Sequence, residues 1–243
     1  MSETERLYKR NVGAADTVAF SEGLRSYMLG VYNLMALGIF ATAAIATFFV
    51  MNPAAAQPFL TTPLRWLPFV GVLGMGFVAP SIIMGKSKGA AQAAYWAYVA
   101  LWGLLIGPVV AAYVGLGLGS LVIQAFFIAS AIFVALSLYG YTTKRDLAPM
   151  AKFLFMAMVG LLVLIVANAL FFHNPMASLL ISGAVVLVIS AVTAYETQMI
   201  RNLYVEGAGS MNERSSIFGA FALYGSFVTL FIHILNILRL TND

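Results

Sequence analysis

The sequence predicts an all-α integral membrane protein, a bundle of seven transmembrane helices. Three observations predict this fold: an apolar composition, seven long apolar runs, and a one-sided distribution of the cationic residues. Of the 243 residues, 62% are hydrophobic and 9% are charged, and the mean hydropathy is +0.93, whereas soluble domains carry about 25% charged residues. Because so few polar side chains cannot cover a globule of this size in water, most of the surface must face lipid.

The seven apolar runs predict the transmembrane helices. Each run has 19 to 25 residues, and at a rise of about 1.5 Å per residue a helix of that length crosses a hydrocarbon core about 30 Å thick. None alternates polar and apolar residues as a membrane-barrel strand does. The predicted spans are 27–50, 66–84, 91–113, 120–141, 153–172, 176–200 and 217–240. We therefore divide the chain into an N-terminal tail, 1–26, and a membrane domain, 27–240.

The cationic residues predict how the helices are oriented. Eleven of them lie in the tail and in the second, fourth and sixth loops, whereas Arg65 and Arg239 lie on the other side. Because loops rich in Lys and Arg stay in the cytoplasm, we expect a cytoplasmic N-terminus and a C-terminus outside. The eleven are Arg6, Lys9, Arg10, Arg25, Lys86, Lys88, Lys144, Arg145, Lys152, Arg201 and Arg214.

Prolines and glycines mark the boundaries between several spans. Such residues punctuate helices because proline lacks an amide hydrogen and glycine tolerates turns. The boundary residues are Pro53, Pro58, Pro63 and Pro68 around the first outer loop, Gly115, Gly117 and Gly119 between the third and fourth spans, and Asn174-Pro175 before the sixth.

Two prolines and one glycine pair fall inside spans. Pro80 and Pro108 each remove a helical hydrogen bond, so each marks either a packing irregularity or a gating hinge. Gly103 and Gly107 lie four residues apart on the third span, a spacing that permits close helix approach. We expect this pair to form a contact within the bundle rather than a dimer interface.

One carboxylate lies inside a predicted span. The other eight acidic residues are in the tail, in predicted cytoplasmic loops or at the C-terminus, whereas Glu196 is in the sixth span, four residues before Ile200. That spacing places Glu196 on the order of 6 Å below the cytoplasmic edge. Because an ionised carboxylate at a helix centre costs roughly 2.5–3.5 kcal/mol, we expect it to face protein or a water-filled cavity. The alternative is that its side chain reaches up to cytoplasmic water.

The seventh span carries a stripe of small and polar residues. Their spacing of three and four residues places them on one helix face, and the rest of the span is Phe, Leu, Ile and Val. In a bilayer such a face avoids lipid, so we expect it to turn into the bundle. It serves either helix packing or a polar path across the membrane, with Glu196 near the cytoplasmic mouth and His233 near the outer end. The stripe consists of Gly219, Ala222, Ser226, Thr229, His233 and Asn236.

Three polar residues stand alone in other spans. Asn33, Gln124 and Asn168 are each expected to form hydrogen bonds between helices rather than to bind a ligand.

Residue patterns argue against several classes of function. The chain contains no Cys and two His, which excludes disulfides and thiol nucleophiles and gives no metal site of His and Cys. Motifs of intramembrane proteases and metalloproteases are lacking, so we predict neither an enzyme nor a cofactor. The basic residues are scattered along membrane-proximal loops, so we predict no nucleic-acid partner. Glu196 is the one candidate metal ligand.

Several stretches resemble the transmembrane Bax inhibitor motif family, and the resemblance covers about residues 24–239. The segment 26–32 also resembles the bacterial branch of that family, whose members lie in the inner (plasma) membrane. The three stretches that carry the resemblance are Tyr139-Gly140-Tyr141-Thr142-Thr143-Lys144-Arg145-Asp146-Leu147, Ala194-Tyr195-Glu196-Thr197-Gln198 and Ala222-Leu223-Tyr224-Gly225-Ser226-Phe227.

The resemblance implies a seven-helix bundle with the last helix near its centre. It also implies a pH-sensitive calcium leak governed by two aspartates, one on the sixth helix and one on the seventh. Here Glu196 occupies the first position, Ser226 stands where the second aspartate is expected, and Thr229 stands where the family often has asparagine. The carboxylate pair is therefore broken, and a single carboxylate is a poor calcium site.

Two functions follow as hypotheses. In the first, the protein is a cation leak, for calcium or protons, in which Glu196 senses protons and Ser226, Thr229 and His233 line the path. In the second, it transports nothing and regulates a membrane-bound protease or a stress-response partner, a role that the resemblance implies for bacterial members.

Overall fold

The structure is a computed structural model that describes the backbone of residues 3–242 and the side chains of residues 22–242. Every regular element in the described residues is a helix, and these residues contain no strand. The α-helices are α1 (Glu3–Met51), α2 (Pro53–Thr61), α3 (Trp66–Gly85), α4 (Lys88–Gly115), α5 (Gly119–Thr142), α6 (Ala151–Ala167), α7 (Pro175–Asn202) and α8 (Gly209–Thr241). A π-helical turn, Asn168–Phe172, extends α6.

All seven predicted spans are confirmed as helices. Among the described residues, seven helices, or helices with their adjoining turns, are long and apolar enough to cross a membrane. The prediction missed α2, which fills most of the loop between the first and second spans. This short helix begins with Pro53. Proline is favourable as the first residue of a helix, because the amide hydrogen that it lacks has no helical hydrogen-bond acceptor at that position. A run of alanines follows Pro53, and alanine is the strongest helix former.

The first helix begins within the predicted tail. α1 is helical from Glu3, so the backbone of the tail continues into the first span. The side chains of residues 3–21 lie outside the described residues. The boundary at residue 26 and the cytoplasmic location of the tail stay predictions.

The long helices differ widely in how much surface they bury. α8 packs against α1, α3, α4, α5 and α7, and 72% of its most apolar 18-residue stretch is buried. In the span formed by α6 and its adjoining turns, 6% of the most apolar stretch is buried. Among the long helices, α6 packs on α7. α8 is thus covered by other helices, while α6 presents its apolar side chains to lipid.

The two in-span prolines do not interrupt their helices. α3 continues through Pro80 and α4 continues through Pro108. The glycine pair of α4 packs against α1. A Cβ added at Gly103 would come within 2.5 Å of Ile45, and one added at Gly107 would come within 2.6 Å of Phe49. The predicted contact within the bundle is therefore confirmed.

Candidate functional site between the last two helices

The intramembrane carboxylate contacts the last helix. Ser226 on α8 donates a hydrogen bond from its hydroxyl to Oε2 of Glu196 on α7, at 2.6 Å. Ser226 is buried, with 5% of its surface exposed, and Glu196 is partly buried. The carboxylate therefore turns toward the bundle, as expected of an acid that avoids lipid. Helix α7 and helix α8 are joined at the two positions where the resemblance places an acid pair.

Aromatic side chains surround this contact. The hydroxyl of Tyr98 on α4 lies against the backbone of Gly225, where an added Cβ would be 2.8 Å from that oxygen. The Tyr98 ring packs on Phe221 with centroids 4.3 Å apart and on Tyr224 at 6.0 Å. Gly225 thus lets the α4 tyrosine approach the residue next to Ser226, and the cluster encloses this side of the carboxylate site.

Two further polar residues of the stripe face α7. Nδ1 of His233 lies 3.1 Å from the Ser182 hydroxyl, and the Asn236 amide donates to the same hydroxyl at 2.9 Å and to Ser178 at 3.1 Å. Thr229 donates to the carbonyl of its own helix at Gly225, at 2.8 Å. His233 and Asn236 therefore turn toward α7 as predicted, although their side chains and that of Thr229 are partly rather than fully buried.

Two grooves lie on the bundle, one between α1 and α5 and one among α1, α4, α5 and α8. Neither is lined by Glu196, Ser226, Thr229 or His233. Within residues 22–242, no three His, Cys, Asp or Glu side chains are placed to hold a metal ion. The assigned roles of these four residues in proton sensing or ion passage stay predictions.

The loop after α5 is fixed by one side chain of α7. Gln198 accepts a hydrogen bond from the Leu147 amide at 2.8 Å and donates to the Arg145 carbonyl at 2.7 Å. Within the loop, Asp146 accepts from the Ala148 amide at 3.0 Å. Two of the resembling stretches therefore meet in space, and Gln198 satisfies backbone groups that the loop leaves unpaired.

Close backbone packing joins the same two stretches. Gly140 of α5 lies against α7 so tightly that an added Cβ would overlap the Ala194 carbonyl oxygen. About two turns farther along α7, the Arg201 guanidinium donates to the Tyr141 carbonyl at the end of α5. Glycine is needed at position 140 because no side chain fits between the helices.

The remaining motif residues have separate locations. Thr197 and Tyr224 are fully buried, and Tyr224 shares a hydrogen bond of 2.6 Å with Thr42 of α1. Tyr139 and Lys144 are exposed, and Tyr195 is partly buried. The motif residues therefore divide into a buried set, which joins helices, and a set at the surface.

Comparison with known proteins decides the family. The family model described as "Inhibitor of apoptosis-promoting Bax1" matches residues 24–243. The chain belongs to the Bax inhibitor family. It is 33% identical to a protein of Caulobacter vibrioides over 97% of each chain. It is 35% identical to a protein of Deinococcus radiodurans, over 88% of this chain and 90% of that one. It is 32% identical to the inner membrane protein YbhL of Escherichia coli, over 88% of this chain and 92% of YbhL.

This member of the Bax inhibitor family also contains polar contacts that the sequence did not predict. A chain of hydroxyls links Tyr32 of α1 to Ser137 of α5 at 2.6 Å and Ser137 to Thr197 of α7 at 3.0 Å. Sequence separations of 105 and 60 residues give no local pattern that would reveal them. The hydroxyl side chains in otherwise apolar spans were the available signal.

Two of the three isolated polar residues were predicted wrongly. Asn33 and Gln124 are exposed on the bundle surface and do not link helices. Each side chain lies on the lipid-facing side of its helix. The composition of a span does not show which side of the helix a residue faces, so the sequence did not predict this position. Asn168 instead closes the turn before α7, exchanging hydrogen bonds with the backbone of Asn174 at 3.2 and 3.3 Å.

Proposed function

We propose that this Bax inhibitor family member is a cation leak protein of the inner membrane, as the name of its relative YbhL suggests for the location. Glu196 is the proton-sensitive residue, and Ser226, Thr229 and His233 line the path. The observation that carries the proposal is the 2.6 Å hydrogen bond from Ser226 to Glu196, because it ties the one intramembrane acid to the polar face of α8.

In the proposed mechanism, the contact between α7 and α8 is the closed gate. While the Ser226 hydroxyl holds the carboxylate and Asn236 holds Ser182, the two helices leave no room for an ion. When they separate, oxygen atoms of Glu196, Ser226 and Thr229 face one passage. Calcium prefers six to eight oxygen ligands, so a site with a single carboxylate binds it weakly. Weak binding suits a leak, since an ion must also be able to depart.

The test is calcium flux from liposomes that contain the purified protein. Glu196→Gln keeps the side-chain shape and removes the charge, so we expect a reduction in flux of about tenfold, the factor produced by about 1.4 kcal/mol. Because protonation also removes the charge, wild-type flux should rise from pH 6 to pH 8, whereas the variant should show no such rise. The matched control is Glu206→Gln, which alters an exposed loop carboxylate and should leave flux unchanged. Flux near zero in wild type and Glu196→Gln at both pH values would contradict the proposal.

Restoring a second acid gives an independent test. Ser226→Asp places two carboxyl groups within hydrogen-bond distance, where like charges resist joint ionisation and one proton is shared. We expect the variant to show a steeper dependence of flux on pH than wild type. Ser226→Asn, which has a similar shape and no charge, is the control. An unchanged pH profile in Ser226→Asp would mean that this face carries no ions.

A second candidate is a membrane regulator that transports nothing and binds a membrane-bound protease or a stress-response partner. It is favoured by the polar stripe, whose groups are bonded to α7 and to α8 and line neither groove. A stable partner recovered from detergent, together with no flux in liposomes, would support it. Intact flux with no partner would exclude it. Neither candidate function includes catalysis by this chain.

A further inference from the structure

A groove runs between α1 and α5 on the outside of the bundle. Its volume is about 510 Å³. Eight of its twelve lining residues are apolar, seven of them aliphatic and one aromatic, and they come from both helices. The apolar lining consists of Met28, Leu29, Met35, Ala36, Ile39, Val134, Leu138 and the aromatic Phe133. A surface of this kind inside a membrane is filled by hydrocarbon.

The groove continues toward the other end of the bundle. A second groove of about 310 Å³ shares Ile39 with the first and is lined farther along by residues of α1 and α5, with α4 and α8 behind them. On α1 the lining of the first groove runs from Arg25 to Ile39, a rise of about 21 Å. That is about half the thickness of a bilayer of about 40–45 Å with its headgroup regions. The first groove therefore extends over one leaflet.

The hydroxyl groups at the floor of the first groove are already satisfied. Thr197 donates its proton to the Thr193 carbonyl, so the bond between Ser137 and Thr197 must use the Ser137 proton. By the same reasoning, the bond between Tyr32 and Ser137 uses the Tyr32 proton. Each of these three hydroxyl groups therefore uses its proton in a hydrogen bond. The inner part of the groove therefore fits an apolar occupant, and these hydroxyl groups offer no free donor to a polar group.

The mouth of the groove has the opposite character. Arg25 lines it and is exposed. Among the described residues Arg25 has no ion-pair partner, and the ion pair found there joins Lys88 to Glu213. A guanidinium binds phosphate through paired hydrogen bonds and retains its charge at any physiological pH. A cation at the end of an apolar channel one leaflet long matches a molecule with an anionic head and a hydrocarbon tail.

We propose that this groove binds an anionic phospholipid of the leaflet on the Arg25 side, the predicted cytoplasmic leaflet. The phosphate pairs with Arg25, and one acyl chain lies between α1 and α5 along Met28, Leu29 and Val134. The site is separate from the contact between Glu196 and Ser226, so the proposal does not rest on ion transport.

The experiment measures phospholipid binding to the full chain in detergent by native mass spectrometry, with palmitoyl-oleoyl phosphatidylglycerol and phosphatidylcholine as probes. We expect wild type to bind phosphatidylglycerol about tenfold more tightly, the ratio expected of one charge-assisted contact. Arg25→Gln should abolish that preference. Lys152→Gln, which removes an exposed cation of α6 outside the groove, should preserve it.

A second pair of variants tests the apolar part. Val134→Trp fills the groove and should weaken binding of both lipids, whereas Val163→Trp on α6 should not. The two valines are matched, since 63% and 61% of their surfaces are exposed. Equal affinity of wild type for both lipids, or an unchanged preference in Arg25→Gln, would overturn the proposal. So would conversion of a wild-type dimer to a monomer by Val134→Trp, because the occupant would then be a second copy.

Discussion

At the scale of single residues, the partner of Glu196 sets how its helix contact responds to protons. Two carboxyl groups can bond to each other only while one of them holds a proton. The Ser226 hydroxyl can donate to Glu196 whether the carboxyl group is charged or neutral, because its own proton is always present. The link between α7 and α8 therefore persists through protonation, and serine in place of an acid should make the resting contact less sensitive to pH.

Gln198 supplies a prediction at the same scale. Gln198→Ala removes two hydrogen bonds to the loop backbone, and each bond contributes about 0.5–1.5 kcal/mol. We expect the free energy of unfolding to fall by about 2 kcal/mol and the amides of residues 143–148 to exchange hydrogen faster. Thermal unfolding in detergent and hydrogen exchange measure the two effects.

The control for this prediction is Gln124→Ala. Gln124 is also a glutamine within a long helix, but its side chain is exposed. Its replacement should leave both stability and loop exchange unchanged. Equal exchange of the loop amides in wild type and Gln198→Ala would show that the loop is held by other contacts.

The sequence revealed some of these residues and not others. Glu196 stood out because it is the one acid within a predicted span, a signal that needs no structure. Gln198 was named from the family resemblance, but its bonds to Arg145 and Leu147 depend on how α5 and α7 are placed. Tyr32 and Ser137 gave only a weak signal, a hydroxyl group in an apolar span, because serine and tyrosine are common in spans. Their contact joins distant parts of the chain.

At the scale of helices, glycine determines how closely α5 approaches α7. Gly140→Ala would place a methyl group on the Ala194 backbone, with the Ala194 carbonyl carbon 2.9 Å away, and backbone cannot rotate aside as a side chain can. We expect the two helices to separate and the protein to lose about 1–3 kcal/mol of stability, as in other overpacked contacts. The measurement is the midpoint of thermal unfolding in detergent.

Gly160→Ala on α6 is the matched control. An added Cβ at Gly160 meets nothing within 4 Å, so the variant should be neutral or more stable by about 0.5–1 kcal/mol, the helix preference of alanine over glycine. If Gly140→Ala behaved like Gly160→Ala, the close approach of α5 and α7 would not exist in the folded protein.

Helix positions were the most predictable feature. A membrane-spanning helix requires about 20 apolar residues in a row, and this requirement identified seven spans. The structure extends most spans by no more than three residues at either end. The seventh begins eight residues earlier than predicted, because the polar residues of 209–216 hide the start of the helix from a hydropathy criterion. α2 was missed for a different reason: four prolines suggested a loop, although proline is acceptable in the first turn of a helix.

At the scale of the whole molecule, the predicted cytoplasmic loops lie at one end of the bundle. Lys88 at the start of α4 pairs with Glu213 of α8 at 3.0 Å, and Arg214 donates to the Met84 carbonyl at 3.0 Å. The second and sixth loops are therefore neighbours. Since their cations belong to the eleven on one side, the charge asymmetry read from the sequence is also an asymmetry of the folded bundle.

The sequence predicts which end of the bundle faces the cytoplasm, and the absence of cysteine makes this prediction easy to test. The chain has no Cys, so a single introduced cysteine is the only thiol. Thr62→Cys, in the predicted outer loop, should react with a membrane-impermeant maleimide in intact spheroplasts. Glu206→Cys, in the sixth loop, should react only after permeabilisation. Its side of the membrane carries eleven cationic residues and the other side two, and the side richer in Lys and Arg is expected to be cytoplasmic. Both residues are exposed, so accessibility in the fold does not distinguish them, and the reversed labelling pattern would invert the topology and move the proposed lipid site to the other leaflet.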